Sequence, residues 1–143
     1  MPLVYADSSV LFAWFHPHDE FSAAVDAAVQ KQSADFVYWP FLRFELRHNL
    51  RRLSGKYAAV AWHAYRASET SLRLRLGSHR LPDLLDWGDE LSARHSQSSS
   101  AGTWDFVHVA AAQHARAQAF ITCDAAQAAL ARLAGLTQVQ LLK

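Results

Sequence analysis

Short apolar runs recur along this chain, each separated from the next by a stretch with helical periodicity. The runs are LVYA at 3–6, DFVYW at 35–39, SLRLRL at 71–76, AFITC at 119–123 and QVQLL at 138–142. Runs of this length suit buried strands, and the intervening segments are long enough for crossover helices. Strands alternating with helices predict an α/β fold in which a mostly parallel central sheet of four to five strands is flanked by helices. With 143 residues, of which 51% are hydrophobic, the chain suits a single domain with a real core.

The helical segments carry recognisable boundaries. VLFAWF continues from the first strand with helix-compatible residues, and DEFSAAVDAAVQKQ reads as an amphipathic helix capped by Asp19. Pro40 fits the first turn of a helix that runs to about Leu53 and stops at Ser54-Gly55. YAAVAWHAYRASE is a further helix, and LPDLLDWGDELSARHS is another that opens on Pro82. SQSSSAG is a loop, Thr103 is the expected N-cap of TWDFVHVAAAQHARAQ, and a short helix from Asp124 to Ala134 ends at Gly135.

Composition excludes several classes. No apolar run approaches the roughly 20 residues of a membrane span. The N-terminus lacks a basic region and a signal-peptide core, and the lone Cys123 permits neither an internal disulfide nor a cysteine zinc cage. A cytoplasmic location is expected. The net charge of +1 excludes a strongly basic binder. Arginines are nonetheless concentrated in RFELRHNLRRLSGK and SLRLRLGSHR, where they form either a solvated face or phosphate contacts.

Four acids stand where an α/β sheet gathers its site. Asp7 follows the first strand, Asp124 follows AFITC, Asp105 lies in the first turn of its helix, and Glu45 lies just past the first turn of the Pro40 helix. Each has an ordinary explanation as well. Asp7 and Asp124 can cap the helices that follow them, Asp105 suits a positive helix N-terminus, and Glu45 suits a helix flank. At roughly 100° per residue, Leu42, Leu46, Leu50 and Leu53 form one apolar stripe. Glu45, Asn49 and Arg52 line one edge of it, and Arg43, Arg47 and Arg51 lie on the other side. Arg52 is therefore the better phosphate contact near Glu45. Clustered carboxylates raise one another's pKa unless a cation relieves them, and hard oxygen ligands suit Mg²⁺ or Mn²⁺. Such ions serve phosphodiester hydrolysis.

The stretches VYADSSVLFAWF, FLRFELRHNLRR, TWDFVHVAAAQHARAQAFITCD and AALARLAGL, in this order from end to end, resemble the PIN-domain ribonucleases. They are most similar to the toxin half of VapBC-type toxin–antitoxin pairs. The resemblance implies a single PIN-like domain over 1–143 and a metal-dependent endoribonuclease. It implies Asp7, Glu45, Asp105 and Asp124 as catalytic metal ligands for Mg²⁺ or Mn²⁺, with Ser9 beside Asp7 and Thr122 orienting the Asp124 turn. It also implies an RNA substrate, a cognate antitoxin and a homodimer. One departure is Ala126, where many relatives carry a further acid; this puts a two-metal mechanism in doubt.

Other residues have plainer readings. Trp104 suits core or interface better than base stacking, and His108 suits a structural histidine better than a ligand or proton shuttle. His16 and His18 flank Pro17 without metal geometry, and Cys123 reads as an inert core thiol. Two other functions compete: a PIN-like binding or regulatory module with little or no turnover, and a phosphotransfer or phosphatase domain using Asp7 as nucleophile. The latter usually needs a second acid close by, which Ser8-Ser9 do not supply.

Overall fold

In the computed structural model, which describes residues 3–31, 35–53, 55–71 and 73–143, the expected alternation is realised with five strands. They are β1 (Leu3–Ala6), β2 (Asp35–Tyr38), β3 (Leu74–Leu76), β4 (Ala119–Thr122) and β5 (Val139–Leu141). All pairings are parallel, in the order β3-β2-β1-β4-β5. A parallel sheet covered on both faces needs continuous apolar strands, and β1, β2 and β4 each bury their last three residues.

Seven helices connect them: α1 (Ser8–Phe15), α2 (Ser22–Lys31), α3 (Pro40–Arg51), α4 (Gly55–Thr70), α5 (Leu81–His95), α6 (Thr103–His114) and α7 (Ala125–Leu133). Right-handed crossovers place α1 to α4 on one face of this strand order and α5 to α7 on the other. The packing agrees: α1 meets α2, α3 and α4, whereas α6 meets α5 and α7. The strand order reverses between β1 and β4. That switch point opens a crevice at the carboxyl ends of these two strands.

Several boundaries differ from expectation. The N-cap of α6 is Gly102 instead of Thr103, because the Asp105 carboxylate reaches back to accept from the Gly102 N–H at 2.8 Å. Asp19 accepts from the Phe21 N–H at 2.9 Å and so closes the turn before α2, which begins only at Ser22. The third strand spans only Leu74–Leu76: Ser71 closes the end of α4 by donating its N–H to the Ala67 carbonyl, while Leu72 and Ser54 lie outside the described residues.

The leucine stripe of α3 is buried as read, with Leu42, Leu46 and Leu50 in the core and Leu53 packed against it. The arginines beyond it are not simply a solvated row. Arg43 pairs with Glu69 of α4 at 2.6 Å, and Arg47 lies over the Trp62 ring at 4.2 Å. Glu69 also accepts from Tyr38 and pairs with Arg66, so one partly buried carboxylate joins α3, α4 and β2. Gly77, just after β3, lies against Trp39; a Cβ there would stand 1.7 Å from the indole.

Candidate active site

Asp7 is the first residue beyond β1 and the N-cap of α1. Its Oδ1 accepts from the Val10 N–H at 3.0 Å. Asp124 is the second residue beyond β4 and caps α7, accepting from the Ala126 and Gln127 N–H groups. The capping reading is therefore realised at both residues, and both carboxylates lie at the switch point. Two helix N-termini and two strand ends meet at the switch point, and a positive helix end lies behind each carboxylate.

Asp7 is only 3% exposed. Besides Val10 it accepts from Ser9 Oγ and from Thr122 Oγ1, each at 2.6 Å. Thr122 is buried and also accepts from the Asp124 N–H at 3.0 Å, which orients that turn. Ser9 accepts from the Cys123 N–H at 3.2 Å. The two hydroxyls thus stitch the end of β1 to the end of β4. Burial pushes the Asp7 carboxyl above its ordinary range, and the Ser9 and Thr122 hydrogen bonds oppose that shift by stabilising the anion.

Asp105 sits in the first turn of α6. Its Oδ1 accepts from Gln127 Nε2 at 3.0 Å. Its carboxyl is raised by burial, and the charges of Asp124 and Glu45 add to that shift. Glu45 approaches from α3, where Ser8 Oγ donates to its Oε2 at 3.4 Å. Its Oε1 is a buried oxygen with no aligned hydrogen-bond donor; His108 Nε2 lies 3.2 Å away. All four acids therefore belong to one electrostatic neighbourhood, drawn from four separate parts of the chain.

Beside them lies a cleft of about 410 Å³, lined by Ser8, Ser9, Asn49, Cys123 and Asp124 among others. Asn49 therefore borders this cleft. Arg52 caps the C-terminus of α3, is exposed and is not among the residues lining the cleft. Trp104 is 50% exposed and stacks on Phe41, with centroids 5.4 Å apart. Burial and the charge of Asp7 push the Cys123 thiol up to about 11, so it stays protonated at neutral pH. His16 and His18 pack edge-on in a separate hollow with Tyr57.

Two participants escaped sequence reasoning. Gln127, buried in α7, joins Asp105 to the Thr122 hydroxyl and lies under Asp124. Its signal was the spacing Asp124-Ala-Ala-Gln127, the pattern in which an N3 side chain reaches back over a helix start. Tyr5, buried in β1, hydrogen-bonds His108 Nδ1 at 2.8 Å; nothing in an apolar strand announces such a contact.

The donor set suits a hard divalent cation. It offers carboxylate oxygens, one of them orphaned and buried, in a neighbourhood where burial, and after it the charges of Asp124 and Glu45, raise Asp105. Among the described residues no three potential ligands are drawn close enough to enclose an ion as they stand. No helix among them is long and apolar enough to cross a membrane.

Among curated protein sequences none matches this chain. Solved structures do match in fold. VapC20 from Mycobacterium tuberculosis, described as a Sarcin-Ricin loop cleaving toxin, superposes with a TM-score of 0.73 at 20% identity, covering 96% of this chain and 98% of that one. FitAcB from Neisseria gonorrhoeae gives a TM-score of 0.64 at 16% identity, covering 95% of each chain. VapBC2 from Rickettsia felis, bound to a DNA fragment from its promoter, gives 0.65 at 10% identity, covering 99% of each. The PIN domain family model matches residues 4–133. With the five-stranded parallel sheet and the acids at its switch point, this match shows that the chain belongs to the PIN domain family.

Proposed function

We propose that this protein is a metal-dependent endoribonuclease and the toxin of a toxin–antitoxin pair. The observation that carries the proposal is that Asp7 and Asp124 follow the two strands of the switch point while Asp105, raised first by burial, also feels the charges of Asp124 and Glu45. Unrelieved, such an arrangement costs stability, so it has the character of a site kept for a cation. The likeness to VapC20, itself described as a toxin that cleaves the Sarcin-Ricin loop, points in the same direction.

Asp7, Glu45, Asp105 and Asp124 would hold Mg²⁺ or Mn²⁺. When bound, the cation supplies charge neutralisation at the scissile phosphate and a lowered pKa for attacking water. The chain's own residues do the rest. Ser9 and Thr122 fix the Asp7 carboxylate, and Gln127 sets the distance between Asp105 and the Asp124 turn. Ser8 and Asn49 offer hydrogen bonds along the cleft, and Arg52 is assigned to a phosphate farther along the substrate. Water delivered in line would break the phosphodiester bond without a covalent enzyme intermediate.

The antitoxin and a homodimer belong to the same proposal. A basic hollow between α3 and α4, lined by Arg47, Arg51, His63 and Arg66 over Leu50 and Trp62, is suited to an acidic segment of the antitoxin. The exposed Leu81 and Leu85 of α5 offer an apolar contact to a second copy.

One observation favours a second reading, a PIN-like module that binds RNA or protein with little turnover. Both oxygens of Asp7 already accept hydrogen bonds, and the residue is almost fully buried. Incubation of a structured-RNA panel with Mg²⁺ or Mn²⁺, with EDTA and Asp105→Asn as controls, separates the readings. Cleavage that needs both metal and Asp105 supports the nuclease. RNA retention without cleavage supports the module.

A further inference from the structure

We infer that His108, held by Tyr5, is a positioning residue that aims the Glu45 carboxylate at the cleft. Three groups line up from the core to the site. Tyr5 Oη lies 2.8 Å from His108 Nδ1, and His108 Nε2 lies 3.2 Å from Glu45 Oε1. His108 is 2% exposed, one turn beyond Asp105 on α6, and its ring is braced by Phe41 at 5.0 Å between centroids. Tyr5 is fully buried and stacked on Phe120.

The contacts choose a tautomer. With its proton on Nδ1, the ring would aim the Nε2 lone pair at a carboxylate oxygen and oblige Tyr5 to accept. With its proton on Nε2, Tyr5 donates to Nδ1 and the ring presents a donor to Glu45. The neighbour of Nε2 is a carboxylate oxygen, which accepts, and the Tyr5 hydroxyl can donate to Nδ1, so the contacts favour the second arrangement. Glu45 Oε1 then has a donor on its buried side and acceptor capacity left for a ligand. In this structure Nε2 stands within hydrogen-bond distance of Oε1 without being aligned to it, and that bond is the one the proposed brace completes. A carboxylate without this brace is free to turn about its last torsion, which is soft.

The inference rests on the metal-site reading above, so its test has one arm that needs no metal. Long-range ¹H–¹⁵N correlation spectra of the metal-free protein report the His108 tautomer. Protonation at Nε2 is expected; protonation at Nδ1 overturns the inference whatever the fate of the nuclease reading. The second arm titrates Mn²⁺ calorimetrically. His108→Leu is expected to weaken binding about tenfold, the lower end of what loss of a ligand-orienting partner produces. His108→Gln, whose Nε2 replaces the imidazole donor, is expected to recover most of that loss, and Tyr5→Phe to lie between the two. Equal affinity across native, Leu and Gln proteins overturns the inference, and so does equal loss in Leu and Gln at unchanged urea midpoint. If Leu does not fold, the Gln and Tyr5→Phe comparison decides. A native protein that binds no Mn²⁺ refutes the metal reading, and the tautomer then decides the inference alone.

Discussion

Thr122→Val replaces a hydroxyl with a methyl of nearly the same shape at a fully buried position, so its cost isolates one oxygen. That oxygen donates to Asp7 Oδ2 at 2.6 Å and accepts from the Asp124 N–H at 3.0 Å. Losing a hydrogen bond to a buried carboxylate costs about 2 kcal/mol, and stranding the partly buried Asp124 N–H adds about 1 kcal/mol. The expected loss is therefore about 3 kcal/mol at neutral pH. Unfolding entropy for a chain of 143 residues is about 0.3 kcal/mol per kelvin, which converts the loss to about 10 °C in Tm. Urea unfolding at pH 7 without metal measures it, with an unchanged m-value as the check that only stability moved. Protonation makes Asp7 less dependent on donors, so the deficit should narrow as pH falls toward about 4, near the unfolded aspartate pKa. Thr122→Ser keeps the oxygen and should recover most of the loss. A deficit below about 0.5 kcal/mol, or one indifferent to pH, would refute the view that Thr122 holds the Asp7 anion.

Asp105→Asn should abolish RNA cleavage yet leave the fold as stable or more so. The Gly102 N–H keeps an oxygen acceptor, and a flip of the Gln127 amide restores the second contact. Because the folded Asp105 pKa is raised, the folded protein binds more protons than the unfolded chain in the window just above the unfolded pKa. Native stability from this group is present in acid and lost as pH rises, so the advantage of the variant should grow from about pH 4 to pH 7 in paired urea titrations. At pH 7, Mn²⁺ at about 100 times its Kd should stabilise the native protein by about 2.7 kcal/mol and the Asp105→Asn protein far less; equal shifts would point to binding elsewhere. Glu69→Gln should loosen α3 from α4. Arg43 and Tyr38 hold the Glu69 carboxyl below its ordinary range despite burial, so its stabilisation is present above the unfolded glutamate pKa of about 4.3 and fades in acid, opposite in sign to Asp105. Gly77→Ala should cost about 3 kcal/mol or fail to fold, since the Trp39 indole occupies the space a Cβ would need; a thermal melt like that of the native protein would contradict the packing.

What the sequence revealed of this architecture lay in periodicity. Apolar runs flanked by helical patterns predict a parallel sheet, and acids directly after LVYA and AFITC point to its carboxyl edge. The leucine spacing of α3 separated the edge bearing Glu45 and Asn49 from the arginines opposite. What stayed hidden is pairwise and long-range. Arg43 and Arg47 read as a solvated row because Glu69 and Trp62 reach them from another helix. Gln127 and Tyr5 carry no pattern that separates a site contact from an ordinary helix start or an ordinary strand. His108 reads from the sequence as a structural histidine; it is buried as that reading expects, and it also lies 3.2 Å from Glu45.

The bond from Thr122 to Asp7 spans 115 positions of sequence. Synthesis runs from the N-terminus, so Asp7 and Glu45 emerge well before, and Asp105 shortly before, the strand that brings Thr122 and Asp124 beside them. Until β4 docks against β1, the Asp7 carboxylate lacks its Thr122 donor and the fourth acid is missing. Parallel pairing over such a separation is slow compared with local helix formation. A growing chain of this protein therefore carries an unfinished site, and whatever chemistry the four acids perform is withheld from the ribosome that makes it until β4 has docked against β1.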